Sequence, residues 1–160
     1  MYNRNINVRR TTSFCTIKQR LVVFLRKNQE RRRCMEEYIT IIGGGLAGSE
    51  AAYQIAKRGI NVKLYEMKPH NFSPAHNNSN LAEIVCSNSF KSNLITNACG
   101  LLKEELRRLD SLLIKIADKV NVPAGQALAV DREKFAEEVT KQLKQYKNIE
   151  IIRQEIGKEI

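Results

Sequence analysis

The sequence has no tryptophan, only three prolines and no long apolar run, and these absences exclude several classes of protein. No stretch approaches the ~20 apolar residues that a membrane-spanning helix needs. Internal repeats and low-complexity bias are also absent, which excludes solenoid and collagen-like architectures. The four cysteines form no C-x-x-C pair and no dense disulfide framework, which favours a reducing compartment. What remains is a globular chain of 160 residues, of which 42% are hydrophobic.

Positive charge is concentrated at the start of the chain. Residues 1–34 contain ten of the 27 Lys and Arg residues but only one of the 17 acidic residues, Glu30. Residues 35–160 are therefore nearly neutral, although the whole chain carries a net charge of +10. Any nucleic-acid binding inferred from bulk charge rests on this basic leader alone.

The leader has three interpretations. It could be a basic arm that binds RNA or another anionic surface. It could be an organelle transit peptide, because it is rich in Arg and has apolar residues at helical spacing. These apolar residues are Phe14, Ile17, Leu21 and Phe24. We favour the third interpretation, a disordered or non-native leader over residues 1–34, because Met35 directly precedes the first strand pattern of residues 35–160.

A strand, a glycine-rich turn, a helix and a second strand follow one another from Tyr38 onward. The run Tyr38–Ile42 predicts a buried strand, and the helical segment continues through Arg58 and ends at Gly59. Residues 61–66 alternate as a second strand does, with Glu66 at its carboxyl end. The turn carries the fingerprint G-x-G-x-x-G, which consists of Gly43, Gly44, Gly45, Leu46, Ala47 and Gly48.

Each part of this pattern has a physical role in binding a dinucleotide. Gly43 permits a tight turn, Gly45 lets the backbone approach a pyrophosphate, and Gly48 lets helix and strand pack closely. The helix N-terminus offers free amides and a favourable dipole to the phosphates. Glu66 is placed to accept hydrogen bonds from an adenosine ribose, and its charge would repel the 2′-phosphate of NADP. The pattern therefore predicts a dinucleotide site without distinguishing FAD from NAD.

Candidate reactive residues follow the second strand. The segment Met67–Asn80 is predicted to be a long loop, of the kind that often carries function. Its two histidines, His70 and His76, have no ligand partners at metal spacing, so we interpret them as solvated and predict no metal site. Cys86 lies among small polar residues and is either a nucleophile or a small buried hydrophobic residue. Cys99, at the start of a predicted helix, is interpreted as structural.

The rest of the sequence predicts two helices and a third strand. Asn97 or Thr96 caps one long helix that continues to about Val120. Its apolar stripe consists of Leu102, Leu106, Leu109, Leu113, Ile116 and Val120. Asp131 caps another helix, and residues 149–152 form a strand. This order predicts an α/β fold with a parallel sheet and flanking helices, and we expect the chain to be the N-terminal part of a longer protein.

Six blocks of the sequence are informative when taken together. They are residues 42–52, 63–67, 74–76, 85–89, 122–125 and 127–132. Together they resemble the folate- and flavin-dependent tRNA uracil-5-methyltransferase family (TrmFO). The resemblance covers residues 35–160 and leaves the leader unexplained. The flavoprotein family that forms carboxymethylaminomethyluridine (MnmG) shares the glycine fingerprint but not the Cys86 block.

The resemblance implies an incomplete, FAD-binding Rossmann-like fold, with FAD at Gly43–Gly48 and Glu66 on its ribose. It implies transfer of a one-carbon unit from methylenetetrahydrofolate to C5 of a T-loop uridine in tRNA, with NAD(P)H supplying reducing equivalents. Cys86 would act near the flavin as nucleophile or base. A cytoplasmic location with no membrane association follows, and the oligomeric state is not indicated. This chain alone is expected to bind flavin without methylating RNA, because the family's other catalytic cysteine should lie beyond Ile160.

Two other functions are compatible with the sequence. The glycine fingerprint alone permits another FAD or NAD oxidoreductase, or a tRNA-modifying flavoprotein similar to MnmG. The basic leader permits a non-enzymatic RNA-binding fragment, whose RNA affinity would fall steeply with salt and disappear without residues 1–34.

Overall fold

A computed structural model describes residues 37–157 of the chain. The leader, residues 1–34, lies outside these described residues, as do the predictions made for it. The helices are α1 (Leu46–Ala56), α2 (Ala98–Arg108), α3 (Leu112–Lys119) and α4 (Arg132–Lys144). The strands are β1 (Tyr38–Ile42), β2 (Asn61–Tyr65), β3 (Ser89–Ser92), β4 (Asn121–Val122), β5 (Ala127–Val130) and β6 (Ile149–Ile152).

A parallel sheet of three strands in the order β1-β2-β6 positions the glycine-rich turn. Val62 of β2 pairs with Ile39 of β1 on one side and with Ile149 of β6 on the other. Helix α1 connects β1 to β2 and packs on both strands through its small buried face, which includes Ala52 and Ala56. The predicted α/β fold with a parallel sheet and flanking helices is confirmed.

Strand β1 is more exposed than its sequence predicts. Tyr38 is 45% exposed and Ile42 is 59% exposed, whereas Val62 and Leu64 of β2 are fully buried. The reason is the strand order, because β2 is central and β1 has one strand neighbour among the described residues. A run of apolar residues predicts a strand but not its place in the sheet, so the prediction of a buried strand was wrong.

A second, antiparallel sheet has the order β3-β5-β4 and was not predicted. Its strands are two to four residues long, too short to show a hydrophobic period in the sequence. The sheet joins the core through Phe90, whose ring lies 5.5 Å from that of Phe135 on α4. The segment that contains Cys86 leads into β3 of this small sheet, and β3 pairs with β5, which ends two residues before α4.

The predicted long helix from residue 97 to residue 120 is two helices, α2 and α3. The chain turns at Asp110, which has a positive φ of 62°. The proposed apolar stripe does not form one buried face, since Leu102 is 56% exposed and Leu109 is 70% exposed. A new helix starts instead at Leu112, after the N-cap Ser111, whose side chain accepts a hydrogen bond from the Ile114 amide.

Both capping predictions that name a residue hold in the structure. The Asn97 side chain accepts a hydrogen bond from the Gly100 amide at 3.0 Å, and Asp131 accepts one from the Lys134 amide at 3.1 Å. Helix α4 then buries Phe135, Val139 and Leu143 completely, against α1, α3 and β6. None of the four described helices has the length and hydrophobicity that a bilayer crossing requires.

Candidate functional site

The glycines of the turn between β1 and α1 have different roles: Gly43 and Gly48 are required by the backbone, and Gly45 leaves open space. Gly43 has a φ of +97°, a conformation that side chains disfavour. A Cβ at Gly48 would lie 1.9 Å from the carbonyl oxygen of Gly43, so this residue lets the helix pack against the turn. A Cβ at Gly45 would meet no protein atom within 4 Å. The open space at Gly45 is therefore on the side that a ligand can approach.

Helix α1 begins without a side-chain cap. Gly45 is its N-cap residue, in an extended conformation, and no side chain within residues 37–157 caps the first amides. The first turn also contains no acidic residue. Uncapped amides and the positive end of the helix dipole together favour an anionic group at this position.

Glu66, at the end of β2, is bonded directly to the glycine turn. Its carboxylate accepts hydrogen bonds from the Gly44 amide at 2.7 Å and from the Lys68 amide at 3.0 Å, and the residue is only 6% exposed. The sequence predicted a ligand contact for Glu66 but not these backbone contacts. Each carboxylate oxygen has a second lone pair, so Glu66 can hold the turn and still accept from a ligand.

Packing also requires glycine at position 44, which the sequence did not reveal. A Cβ at this position would lie 2.4 Å from Cδ2 of Leu81 and 2.8 Å from Oε2 of Glu66. Leu81 is fully buried and cannot move aside easily. The unspecified second position of the fingerprint is therefore constrained here by packing.

A cavity of about 310 Å³ opens beside the turn. It is lined by Ile42, Gly43, Gly45, Tyr65, Glu66, Met67, Lys68, His76, Gln154, Glu155 and Ile156. The structure thus brings Gly43, Gly45 and Glu66 to one cavity, while the other fingerprint residues do not line it. His76 was interpreted as solvated, but it is half-buried, lines this cavity and contacts Ser73 through Nδ1.

The loop that carries His76 is held by a buried ion pair. Lys68 is 3% exposed, and its ammonium group donates to Glu83 at 3.1 Å and to the Asn80 carbonyl at 2.7 Å. Glu83 also accepts from the amides of Asn77 and Asn78. Burial acts to raise the pKa of Glu83, but these hydrogen bonds and the charge of Lys68 outweigh it, so the pKa is lowered.

Cys86 lies at a different cavity, of about 490 Å³. This cavity is lined by Cys86, Ser87, Asn88, Val122, Val130, Asp131 and Arg132. Cys86 is exposed and has no disulfide partner among the described residues, so the interpretation as a small buried hydrophobic residue was wrong. A hydrogen bond of 2.8 Å from the Val130 amide to the Asn88 carbonyl fixes the cysteine loop to β5.

Cys99 occupies the first turn of α2 and is half-buried. Its carbonyl accepts a hydrogen bond from the ammonium group of Lys103 at 2.8 Å, as does the carbonyl of Phe90. Burial lowers the pKa of Lys103, which is 4% exposed. Within residues 37–157 no three His, Cys, Asp or Glu side chains group as metal ligands would.

Comparison with known proteins places this arrangement in a family. The family model described as glucose inhibited division protein A matches residues 38–159, about three quarters of the chain. The chain belongs to this family. The matched range includes the glycine turn, Glu66 and Cys86.

Relatives of this glucose inhibited division protein A family member have more specific names. The chain is 62% identical over 122 residues to a protein of Acetivibrio thermocellus named methylenetetrahydrofolate–tRNA-(uracil-5-)-methyltransferase TrmFO. It is 64% identical over 121 residues to the protein of the same name from Fusobacterium nucleatum. Each alignment covers 76% of this chain and 28% of the relative. The chain therefore spans little more than a quarter of the length of these relatives.

Proposed function

We propose that the chain is the N-terminal portion of a folate- and FAD-dependent tRNA uracil-5-methyltransferase. The observation that carries this proposal is the cavity at which Gly45, the uncapped start of α1 and Glu66 meet. Such a site suits a dinucleotide, because it offers free amides to a diphosphate and a carboxylate to a ribose. The names of the relatives support the specific reaction.

The described residues fit FAD. Gly45 leaves the space that a pyrophosphate needs, Gly43 and Gly48 shape the turn, and Leu46 and Ala47 contribute amides at the start of α1. Gly44 and Glu66 form the hydrogen bond that fixes the turn, and the carboxylate keeps acceptor capacity for the ribose. Bound FAD would supply the electrons that convert the methylene of the folate donor to a methyl group.

Cys86 is the residue of this chain that we propose for the chemical step. C5 of uracil becomes nucleophilic once a group has added at C6 or a base assists, and a thiolate suits either role. An exposed thiol at a cavity of about 490 Å³ can reach a substrate base, whereas half-buried Cys99 cannot serve in the same way. We propose no metal in this step.

The proposed partners are tRNA, methylenetetrahydrofolate and NAD(P)H, with the reaction in the cytoplasm. Residues 35–160 are nearly neutral, so most of the tRNA affinity is expected from other parts of the protein. We propose that residues 35–160 belong to the FAD-binding domain and that residues 1–34 take no part in catalysis.

A chimeric enzyme tests this function. Residues 35–160 would replace the matching segment of the Acetivibrio thermocellus relative, which supplies the rest of the protein. We expect the purified chimera to be yellow and to methylate tRNA with methylenetetrahydrofolate and NAD(P)H. Cys86→Ala should abolish methyl transfer while FAD content stays unchanged, and Cys99→Ala is the matched control that should remain active.

Three outcomes would each contradict a different part of the proposal: the FAD site, the reaction or the role of Cys86. A folded but colourless chimera would remove the FAD site. A yellow chimera without methyl transfer would favour another flavin oxidoreductase. Full activity after Cys86→Ala would remove the catalytic assignment of this cysteine alone.

A further inference from the structure

Arg132 occupies an unfavourable position in its helix. It is the first residue of α4, directly after the N-cap Asp131. The helix dipole places partial positive charge at this end, so a cation here does not stabilise the helix. The charge of this exposed guanidinium therefore does not contribute to the stability of α4.

The side chain of Arg132 has no hydrogen-bond or ion-pair partner within residues 37–157. Of the two acids adjacent to it in the sequence, Asp131 is already engaged, since it caps the Lys134 amide at 3.1 Å and pairs with the Lys134 ammonium group at 3.3 Å, and Glu133 forms no ion pair with Arg132. Glu83 is engaged by Lys68 and by two backbone amides. An unpaired guanidinium with five donors is a ready receptor for an anion.

Arg132 lines two cavities, and only one of them suits an anion. The first, of about 470 Å³, is also lined by Glu83, which Lys68 engages, and by Glu133, whose negative charge offsets that of Arg132. The second is the cavity of Cys86, whose one acidic residue, Asp131, pairs with Lys134. Arg132 therefore favours an anion on the side of Cys86.

The cysteine loop and Arg132 are held by the same strand. Asn88 bonds to Val130 at the end of β5, and Arg132 follows Val130 by two residues. Ser87 and the side chain of Asn88 add polar groups to the cavity wall. A ligand that reaches the thiol thus meets, in the same cavity, a guanidinium whose backbone attachment is fixed by β5.

We propose that Arg132 binds a backbone phosphate of the RNA at the nucleotide whose base reaches Cys86. The inference rests on the proposed function, in which Cys86 acts on a uracil. A nucleotide carries its phosphate within a few bonds of its base, and a guanidinium binds phosphate through two parallel hydrogen bonds. Arg132 is then a binding residue for the substrate backbone, and Cys86 acts on its base.

The experiment measures how RNA protects Cys86 from alkylation in the chimera, which supplies the rest of the protein and omits the basic leader. The rate of Cys86 modification by iodoacetamide is followed by peptide mass spectrometry, with and without a T-arm RNA hairpin. We expect the hairpin to slow the reaction, and Arg132→Gln to weaken its apparent affinity by about tenfold or more. The slope of log affinity against log salt should fall by about 0.7–0.9, the contribution of one phosphate contact.

Two variants control for charge and folding. Lys141→Gln removes one positive charge from the other end of α4 and should leave protection unchanged. Arg132→Lys keeps the charge but loses the two parallel hydrogen bonds of a guanidinium. RNA should therefore protect Cys86 less in Arg132→Lys than in the unchanged chimera, and more than in Arg132→Gln. Thermal melting of each variant should match the unchanged chimera, because the Arg132 side chain is exposed and makes no hydrogen bond or ion pair within residues 37–157.

Several results would overturn the inference. RNA that fails to protect Cys86, or protects it equally in Arg132→Gln, excludes a phosphate contact. Protection by tetrahydrofolate that depends on Arg132, without protection by RNA, assigns the guanidinium to a folate carboxylate. Methyl transfer by the chimera combined with unaltered protection would retain the proposed function and reject this site. An inactive chimera in which protection still depends on Arg132 would reject the proposed function and retain the phosphate contact.

Discussion

At the scale of single residues, Gly44 and Gly45 are neighbours under opposite constraints. A side chain at Gly44 would collide with Leu81 and Glu66, which belong to the protein itself. A side chain at Gly45 would point into open space beside the cavity. The first glycine is therefore required by folding, and the second is available for binding.

Gly45→Val is predicted to abolish FAD retention with little loss of stability. The branched side chain would occupy the phosphate approach, while the extended backbone of Gly45 accepts any residue. Loss of glycine at the N-cap costs up to about 1 kcal/mol of unfolding free energy. Flavin absorbance after gel filtration and urea unfolding of the chimera measure the two effects.

Two other glycine variants are the controls for Gly45→Val, one expected to have no effect and one expected to lower stability. A Cβ at Gly157 would lie within 4 Å of no other described atom, and Gly157 is not among the cavity-lining residues, so Gly157→Ala should change neither quantity. Gly44→Ala should lower the unfolding free energy by about 1–3 kcal/mol through overpacking. Unchanged FAD content in Gly45→Val would defeat the assignment of the dinucleotide site.

At the scale of elements, helix α3 depends on a side chain from α1. The carboxylate of Glu50 accepts hydrogen bonds from the Leu112 amide at 3.2 Å, the Leu113 amide at 3.1 Å and the Ser111 hydroxyl at 2.9 Å. These are the first amides of α3, which would otherwise lack partners. Glu50 therefore joins the helix after the glycine turn to the helix that begins after the break.

Glu50→Ala is predicted to destabilise the fold by about 2 kcal/mol, because it removes the acceptor of two helix amides and a favourable charge at the helix N-terminus. Urea unfolding followed by circular dichroism measures the change. Glu105→Ala, at an exposed position on α2, is the control and should alter stability by less than about 0.5 kcal/mol. Equal stability of the two variants would show that α3 does not need Glu50.

Elements with strong local patterns were predictable from the sequence. The glycine turn, α1, α4 and strands β1, β2 and β6 were predicted because caps, glycines and periodicity lie within a few residues of one another. The break at Asp110 was not, since the contacts that hold it come from Glu50 and Gln54 of α1, which are about sixty residues away in the chain. The small sheet was missed because strands of two to four residues are specified by their partners.

At the scale of the whole molecule, the sequence predicted half of the candidate site. Gly43, Gly45 and Glu66 meet as expected, because a strand–turn–helix–strand unit has one regular geometry. Arg132 was missed, although it follows a predicted N-cap. Its relation to Cys86 arises only when β5 pairs with the segment around Asn88, which no local pattern contains.

The ion pair between Lys68 and Glu83 makes global stability depend on pH. The pKa of Glu83 is lowered in the folded state, so its stabilising effect is complete above its ordinary value of 4.5. The effect is lost as the pH falls through the lowered pKa. Glu83→Gln should therefore cost about 1–3 kcal/mol at pH 7, and less as the pH falls below about 4.

Urea unfolding of both proteins across this pH range measures the effect of Glu83→Gln. Glu138→Gln is the control, since Glu138 pairs with Lys119 at the surface and exposed pairs contribute little. A stability difference for Glu83→Gln that stays constant from pH 7 to pH 3 would contradict the lowered pKa.

The pairing of Val62 with Ile149 has a consequence for how the protein is made. Residues 61–65 leave the ribosome long before residues 149–152, and the antiparallel sheet with α2, α3 and α4 is translated in between. During that interval β2 presents a row of unsatisfied backbone groups to its surroundings. Until β6 is released, this edge of β2 is therefore open to wrong strand pairing in the nascent chain.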